Sequence, residues 1–228
     1  MRTTEGRLRQ VQLLGDSATA GWITCPVSTI PSPGRYLLGW DADDAEAPLA
    51  TPLFAAETGL EGFLAAPPLP PSWALGTRVS LYGPLGRGFD LPSIARRVAL
   101  AALGNSMARL LPLVHSALAQ GAALAIYTDS PWSFLPTAVE IHPLQALPEA
   151  TAWADYLALD LPAASVPWLR QRLNLGEKAV LPCPAQALVV NEMPCGGLGE
   201  CGVCALTGQK TWKLACRDGP VFEVKELI

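Results

Sequence analysis

The chain of 228 residues can build one large domain or two modest ones around a real core, and with 50% hydrophobic and 16% charged residues it reads as globular. A net charge of −4 without any basic run excludes nucleic acid as an expected partner. No apolar run reaches the roughly 18 residues of a membrane span, and MRTTEGRLRQVQLLGD lacks the unbroken apolar core of an export signal. A cytoplasmic protein with no membrane partner is expected.

Arg7 to Gly15 alternates polar and apolar residues, and a turn at Asp16-Ser17 leads to a second strand over Ala20–Val27. After a PSPG turn comes a third strand, Arg35 to Trp40. DADDAE reads as a solvated acidic loop. Thr51–Ala56 and Gly62–Ala66 are short strands, APPLPPSW is a proline-rich connection, and Arg78–Tyr82 is the last strand of this half. Short strands at close spacing with turn signals between them predict a small antiparallel barrel over residues 1–92.

The period then changes. Arg97–Leu103 is a continuous apolar strand, and Asn105 or Ser106 can cap a helix whose apolar residues Met107, Leu110, Leu111, Val114 and Leu118 recur at helical spacing. Strands are expected at Ala122–Tyr127, Val139–His142 and Tyr156–Leu161, and a helix at Val166–Leu173. Strand and helix in alternation predict a parallel α/β domain over residues 93–185. His115 and His142, the two histidines, belong to no visible catalytic constellation.

Gln186–Val190 runs directly into a cysteine-rich module, residues 186–228. Cys195, Cys201, Cys204 and Cys216 are separated by five, two and eleven residues. Three thiols in one short loop and a fourth a hairpin later can converge on a 2Fe–2S cluster or on a tetrahedral structural zinc. Gly196, Gly197, Gly199 and Gly202 favour iron and sulfur, because they let the backbone curl tightly and bring N–H groups close to the sulfurs. A zinc ribbon more often pairs two separate Cys-x-x-Cys knuckles. Cys25 and Cys183 are single thiols among apolar residues, Cys183 being the one reserve ligand. Trp212 is placed to shield the centre, and Lys213 and Arg217 to favour its reduced state.

The CGGLGECGVC loop followed by CRDGPVFEVKEL resembles the C-terminal iron–sulfur module of the dihydroorotate dehydrogenase B electron-transfer subunit family, with a first gap one residue longer than usual there. Gly83 to Phe89 (GPLGRGF) is similar to the segment that closes the flavin barrel of these ferredoxin-reductase-like proteins, and PGRYLLGW to one of its strands. The resemblance implies a mixed β and α/β protein with a 2Fe–2S cluster and FAD. It also implies electron relay to or from a dihydroorotate dehydrogenase-type catalytic subunit in pyrimidine biosynthesis, with no general acid or base of its own.

Two stretches depart from the family. The strand that holds the flavin there carries an Arg for its phosphate and a Ser against its ring, and the matching residues here are Thr51, Pro52, Leu53 and Phe54. The family's triple-glycine turn is Gly104-Asn105-Ser106, and its Cys-Gly-Pro is replaced within Leu159-Asp160-Leu161-Pro162. A pyridine-nucleotide site is therefore not expected, and FAD binding stays open. Two alternatives follow: a degenerate paralogue with cluster but neither flavin nor NAD, serving another oxidoreductase, and a structural zinc protein.

Overall fold

The computed structural model describes residues 3–14, 18–44, 49–104, 106–130, 135–176, 179–195, 197–208 and 211–228. The turn at Asp16-Ser17, part of the acidic loop, Asn105 and Gly196 lie outside them.

Six strands close into an antiparallel barrel: β1 (Thr3–Leu14), β2 (Ala18–Thr24), β3 (Tyr36–Asp41), β4 (Thr51–Gly59), β5 (Gly62–Ala65) and β6 (Arg78–Leu85), in the order β1-β2-β5-β4-β3-β6. Alternation sorts the side chains. Leu37 and Leu53 are register partners that turn into the barrel, where they meet Leu8, Ile23, Phe63 and Leu81, all at 0% exposure. Their neighbours Tyr36 and Phe54, also register partners, point outward, yet they too are buried, because the second half of the chain packs there. Each such fully buried large apolar side chain contributes about 1.5–3 kcal/mol.

The second sheet contains β7 (Arg97–Ala102), β8 (Ala123–Tyr127), β9 (Val139–His142), β10 (Tyr156–Pro162), β11 (Ala185–Val190) and, from the C-terminal segment, β14 (Val221–Glu223). Its order is β14-β11-β10-β7-β8-β9, with all pairings parallel except β11 with β14. After the exposed Arg97 the run VALAA is apolar throughout because β7 is covered there on both faces. One face packs on α1 (Leu111–Ala119) through Leu113, Val114 and Ala117. The other packs toward the barrel and α2 (Leu147–Trp153). The expected helix at Met107 to Gly121 divides into a 3-10 turn, Ala108–Leu110, and α1, because Pro112 supplies no amide donor and suits only a helix's first turn. The Ser106 hydroxyl accepts from the Ala108 amide at 3.1 Å just ahead of the turn, whose N-cap is Met107 and carries no side-chain cap bond. The helix expected at Val166–Leu173 is likewise a 3-10 run, Ala163–Trp168, followed by the short α3 (Leu169–Arg172). α2 was not expected.

The two stretches that carry the family resemblance touch each other. The Arg87 amide donates to the Gly219 carbonyl at 2.6 Å, and the Arg35 guanidinium donates to the carbonyls of Pro84 and Gly86. Gly86 sits at φ +72°, and a Cβ there would come within 2.5 Å of Pro220 and 2.8 Å of the Gly219 oxygen. Gly121 has nearly the same φ, +73°, with nothing within 4 Å of its would-be Cβ. Gly121→Ala is expected to cost about 1–2 kcal/mol of left-handed backbone strain. Gly86→Ala is expected to cost about 1–3 kcal/mol more, from overpacking against Pro220. Denaturant unfolding of the two variants checks the difference.

Candidate metal centre and the adjoining cavity

The cysteine segment leaves the sheet at β11 and returns to it at β14, with a hairpin of β12 (Ala205–Thr207) and β13 (Trp212–Leu214) and the turn α4 (Ala215–Asp218) between. Ala205 pairs with Leu214, and the Ala215 amide donates to the Cys204 carbonyl at 3.0 Å, so the hairpin lays Cys204 beside Cys216. Asp218 fixes the turn by accepting from the Leu214 amide at 2.8 Å. On the other side Gly197, Gly199 and Gly202 all have φ between +72° and +79°, which lets the loop fold back over Cys195.

All six cysteines are free thiols. The four of the segment fall into two pairs. Cys195 and Cys201 lie in the one loop and influence each other's ionisation, as do Cys204 and Cys216, and the Cys216 amide lies 3.5 Å from the Cys204 sulfur. Burial raises the Cys195 thiol, but bonds from the backbone of Gly199, Glu200 and Cys201 and from the Cys201 side chain outweigh it and bring Cys195 down to about 6. Burial pushes Cys216 up to about 12, helped by the neighbouring Cys204 and Cys195. Among the described residues no three His, Cys, Asp or Glu side chains surround a single ion position. Thiols gathered in one loop and one hairpin, with the Cys216 amide directed at the Cys204 sulfur, are a donor set that fits an iron–sulfur centre.

Cys204 and Cys216 are buried in one apolar cluster with Leu206, Ala215, Val221 and Phe222, whereas Cys201 is exposed. Trp212 does not provide the shield expected of it: it is 71% exposed on β13. Lys213 pairs with Glu226 at 3.2 Å and Arg217 with Asp218 at 3.1 Å, so neither charge faces the sulfurs uncompensated. Cys25 lies in the barrel core, and Cys183 lines a separate cavity with Arg170 and Lys225, so neither joins the four. His142 stacks on Tyr127 at 5.1 Å.

Directly before the cysteine loop lies a cavity of about 450 Å³, bounded by β4 (Thr51, Pro52, Phe54), by Pro67 and Pro68 after β5, and by the ends of β10 and β11 with Asn191 and Glu192. Leu53, the third residue of the proposed flavin strand, is not there, because strand alternation turns it into the barrel. Phe54 has two roles, cavity wall and partner of Tyr36, whose ring centroid is 5.8 Å away. The buried Tyr36 hydroxyl in turn donates to the Cys216 carbonyl at 3.2 Å. Planar and apolar walls fit a flavin ring.

The floor of the cavity holds a pair not anticipated from the sequence. Arg109 grips Asp160 with two bonds, 2.8 and 3.0 Å, and donates to the Pro67 carbonyl at 3.3 Å. The two side chains are 11% and 0% exposed. Asp160 pairs with Ala102, the last residue of β7, at the point where the sheet order reverses and α/β sheets place their ligands.

A closed six-stranded barrel joined to a mainly parallel α/β sheet is the ferredoxin-reductase-like fold, and this chain has it. Within it, residues 191–228 match the family model of the iron–sulfur cluster binding domain of dihydroorotate dehydrogenase B, so the chain is similar to the electron-transfer subunits of that family. It is also similar to a chain of NADH-dependent reduced ferredoxin-NADP oxidoreductase, a protein of flavin-based electron bifurcation, with TM-score 0.73 and 17% identity over 97% of this chain and 88% of that one. Phthalate dioxygenase reductase, which carries electrons from pyridine nucleotides to [2Fe-2S], gives TM-score 0.57 and 12% identity over 83% and 69%. The ferredoxin reductase of carbazole 1,9a-dioxygenase gives TM-score 0.54 and 14% identity over 75% and 64%. No curated protein matches the chain. Identities this low speak for the fold. No helix among the described residues is long and apolar enough to cross a membrane.

Proposed function

We propose that the chain is an electron-transfer subunit in which Cys195, Cys201, Cys204 and Cys216 hold a 2Fe–2S cluster and the cavity against Thr51, Pro52 and Phe54 takes the ring of FAD. Electrons would pass to or from a dihydroorotate dehydrogenase-type catalytic subunit in cytoplasmic pyrimidine synthesis. When bound, the flavin supplies two-electron chemistry and the cluster one-electron chemistry. The observation that carries the reading is adjacency. Glu192 lines the cavity and Cys195 follows three residues later, so their Cα atoms are at most about 11 Å apart. This chain's own residues contribute placement: Phe54 and Tyr36 fill the space between cavity and cluster loop, and the hydrogen bond from Tyr36 holds the Cys216 turn. Exposed Leu198, Val203 and Trp212 beside the exposed Cys201 give the loop an apolar surface for the partner.

A cluster-only relay is the second reading, favoured by the lack of a basic residue on β4 at the cavity. The domain limits proposed remain 1–92, 93–185 and 186–228. The deciding experiment is the visible spectrum of anaerobically purified protein with acid-released flavin assayed on the same sample. Bands that bleach with dithionite together with released FAD are expected. Bands without flavin would leave the relay, and a colourless zinc-loaded protein would refute both.

A further inference from the structure

The cavity wall formed by β4 has no phosphate-binding cation: Thr51 and Phe54 are neutral, and among the described residues Arg109 is the one basic side chain that lines the space. Arg109 is not a free charge. Its Nε and one Nη2 hydrogen are given to Asp160 and one Nη1 hydrogen to Pro67, and the carboxylate cancels its charge. A guanidinium has five N–H donors, so two remain beyond these three bonds, on a side chain that lines the cavity and is held rigidly by the bidentate grip. A neutral ion pair attracts a phosphate weakly, and Glu192 at the rim repels one. Uncharged carbonyl and ring-nitrogen acceptors suit the two donors well. The remaining walls, Phe54 with prolines and alanines, suit the faces of a flat ring.

We propose that Arg109, held by Asp160, binds the acceptor edge of a flavin ring in this cavity, and that the site selects the ring and is indifferent to the phosphate tail. Riboflavin, FMN and FAD are then equivalent ligands. The inference rests on the flavin reading above and deepens it: the grip lost from β4 on the phosphate is replaced by a grip from the α/β half on the ring.

The test is a fluorescence-quenching titration of the flavin-free, cluster-loaded protein with riboflavin, FMN and FAD, alongside the double variant Arg109→Met/Asp160→Leu. Replacing both partners by apolar residues leaves no buried charge unpaired, so the variant is expected to fold. Its circular dichroism and cluster absorbance check that. The three flavins are expected to bind the native protein within about fivefold of one another. The variant is expected to bind all three about tenfold more weakly, as the loss of one or two buried hydrogen bonds demands. FAD binding more than about tenfold tighter than riboflavin would overturn the proposal, by revealing a grip on the tail. So would unchanged affinity in the variant, or no binding of any flavin. Failure of the electron-transfer reading is read separately, by absence of cluster absorbance in the native protein.

Discussion

Asp160→Ala is expected to destabilise the protein by about 3–5 kcal/mol, among the largest effects of any single substitution outside the cysteines. The Asp160 side chain is completely buried and takes two of the three hydrogen bonds that Arg109 makes. Removing it leaves a guanidinium confined at a strand end with one carbonyl for company. The double replacement Arg109→Met/Asp160→Leu should lie close to the native stability or above it, because the cost is that of the stranded charge and not of the missing pair. Urea unfolding of the single and double variants separates the two. Arg109→Met alone carries a pH signature. Burial already pushes the Asp160 carboxyl above the usual carboxylate range, and Arg109 is what opposes the shift. Without Arg109 the folded-state value rises further above the unfolded one. Stability from the protonated carboxyl is then full at acid pH and lost as pH rises through the folded value. Relative to native protein, the variant should be less impaired near pH 5 than near pH 8, as parallel unfolding curves would show. Equal impairment at both would contradict the sign.

The second large effect is loss of the centre. Cys204→Ser and Cys216→Ser are each expected to yield protein with less than about a tenth of the native iron and sulfide, and without cluster absorbance, because ligand binding and folding of such modules are one process. Both thiols are buried, and the elements around them are a hairpin of two three-residue strands and a four-residue turn. Cys25→Ser and Cys183→Ser should retain the full complement, since one lies in the barrel core and the other in a different cavity. Iron and sulfide analysis of the four variants tests the ligand set directly. A full cluster in Cys204→Ser, or an empty one in Cys183→Ser, would rule that set out.

Much of this was readable in the sequence, and for definite reasons. Alternation located β1, whose outer face stays largely exposed, and the solid apolar runs located β7, β8 and β10 because both of their faces are covered. Four cysteines among glycines pointed to the segment, residues 191–228, that matches an iron–sulfur binding domain. What failed to show was tertiary. The helix Leu147–Trp153 was hidden by Pro143 and Pro148, which read as breakers although proline suits a first turn. Nothing local ties Gly86 to Pro220, or Arg109 to Asp160. One signal did exist: a lone aspartate inside YLALDLP must be paired if the strand is buried, and a search for its cation among the loops of the α/β half leads to Arg109. Strand parity was the overlooked signal that separates Leu53 from Phe54.

The antiparallel pairing of β14 on β11 has a consequence for the life of the protein before its metal arrives. Val221–Glu223 covers the hydrogen-bonding edge of Ala185–Val190, a strand whose sequence AQALVV is apolar and free of proline. That cover is continuous in sequence with the cysteine turn, two residues from Asp218. The cover is held by bonds that involve no cysteine, the Val189 amide donating to the Pro220 carbonyl at 2.9 Å and the Arg87 amide to the Gly219 carbonyl at 2.6 Å, and by the buried Val221 and Phe222, so that strand margin is closed to neighbouring chains whether or not the thiols are loaded. The C-terminal segment thus seals the sheet as well as carrying the cysteines.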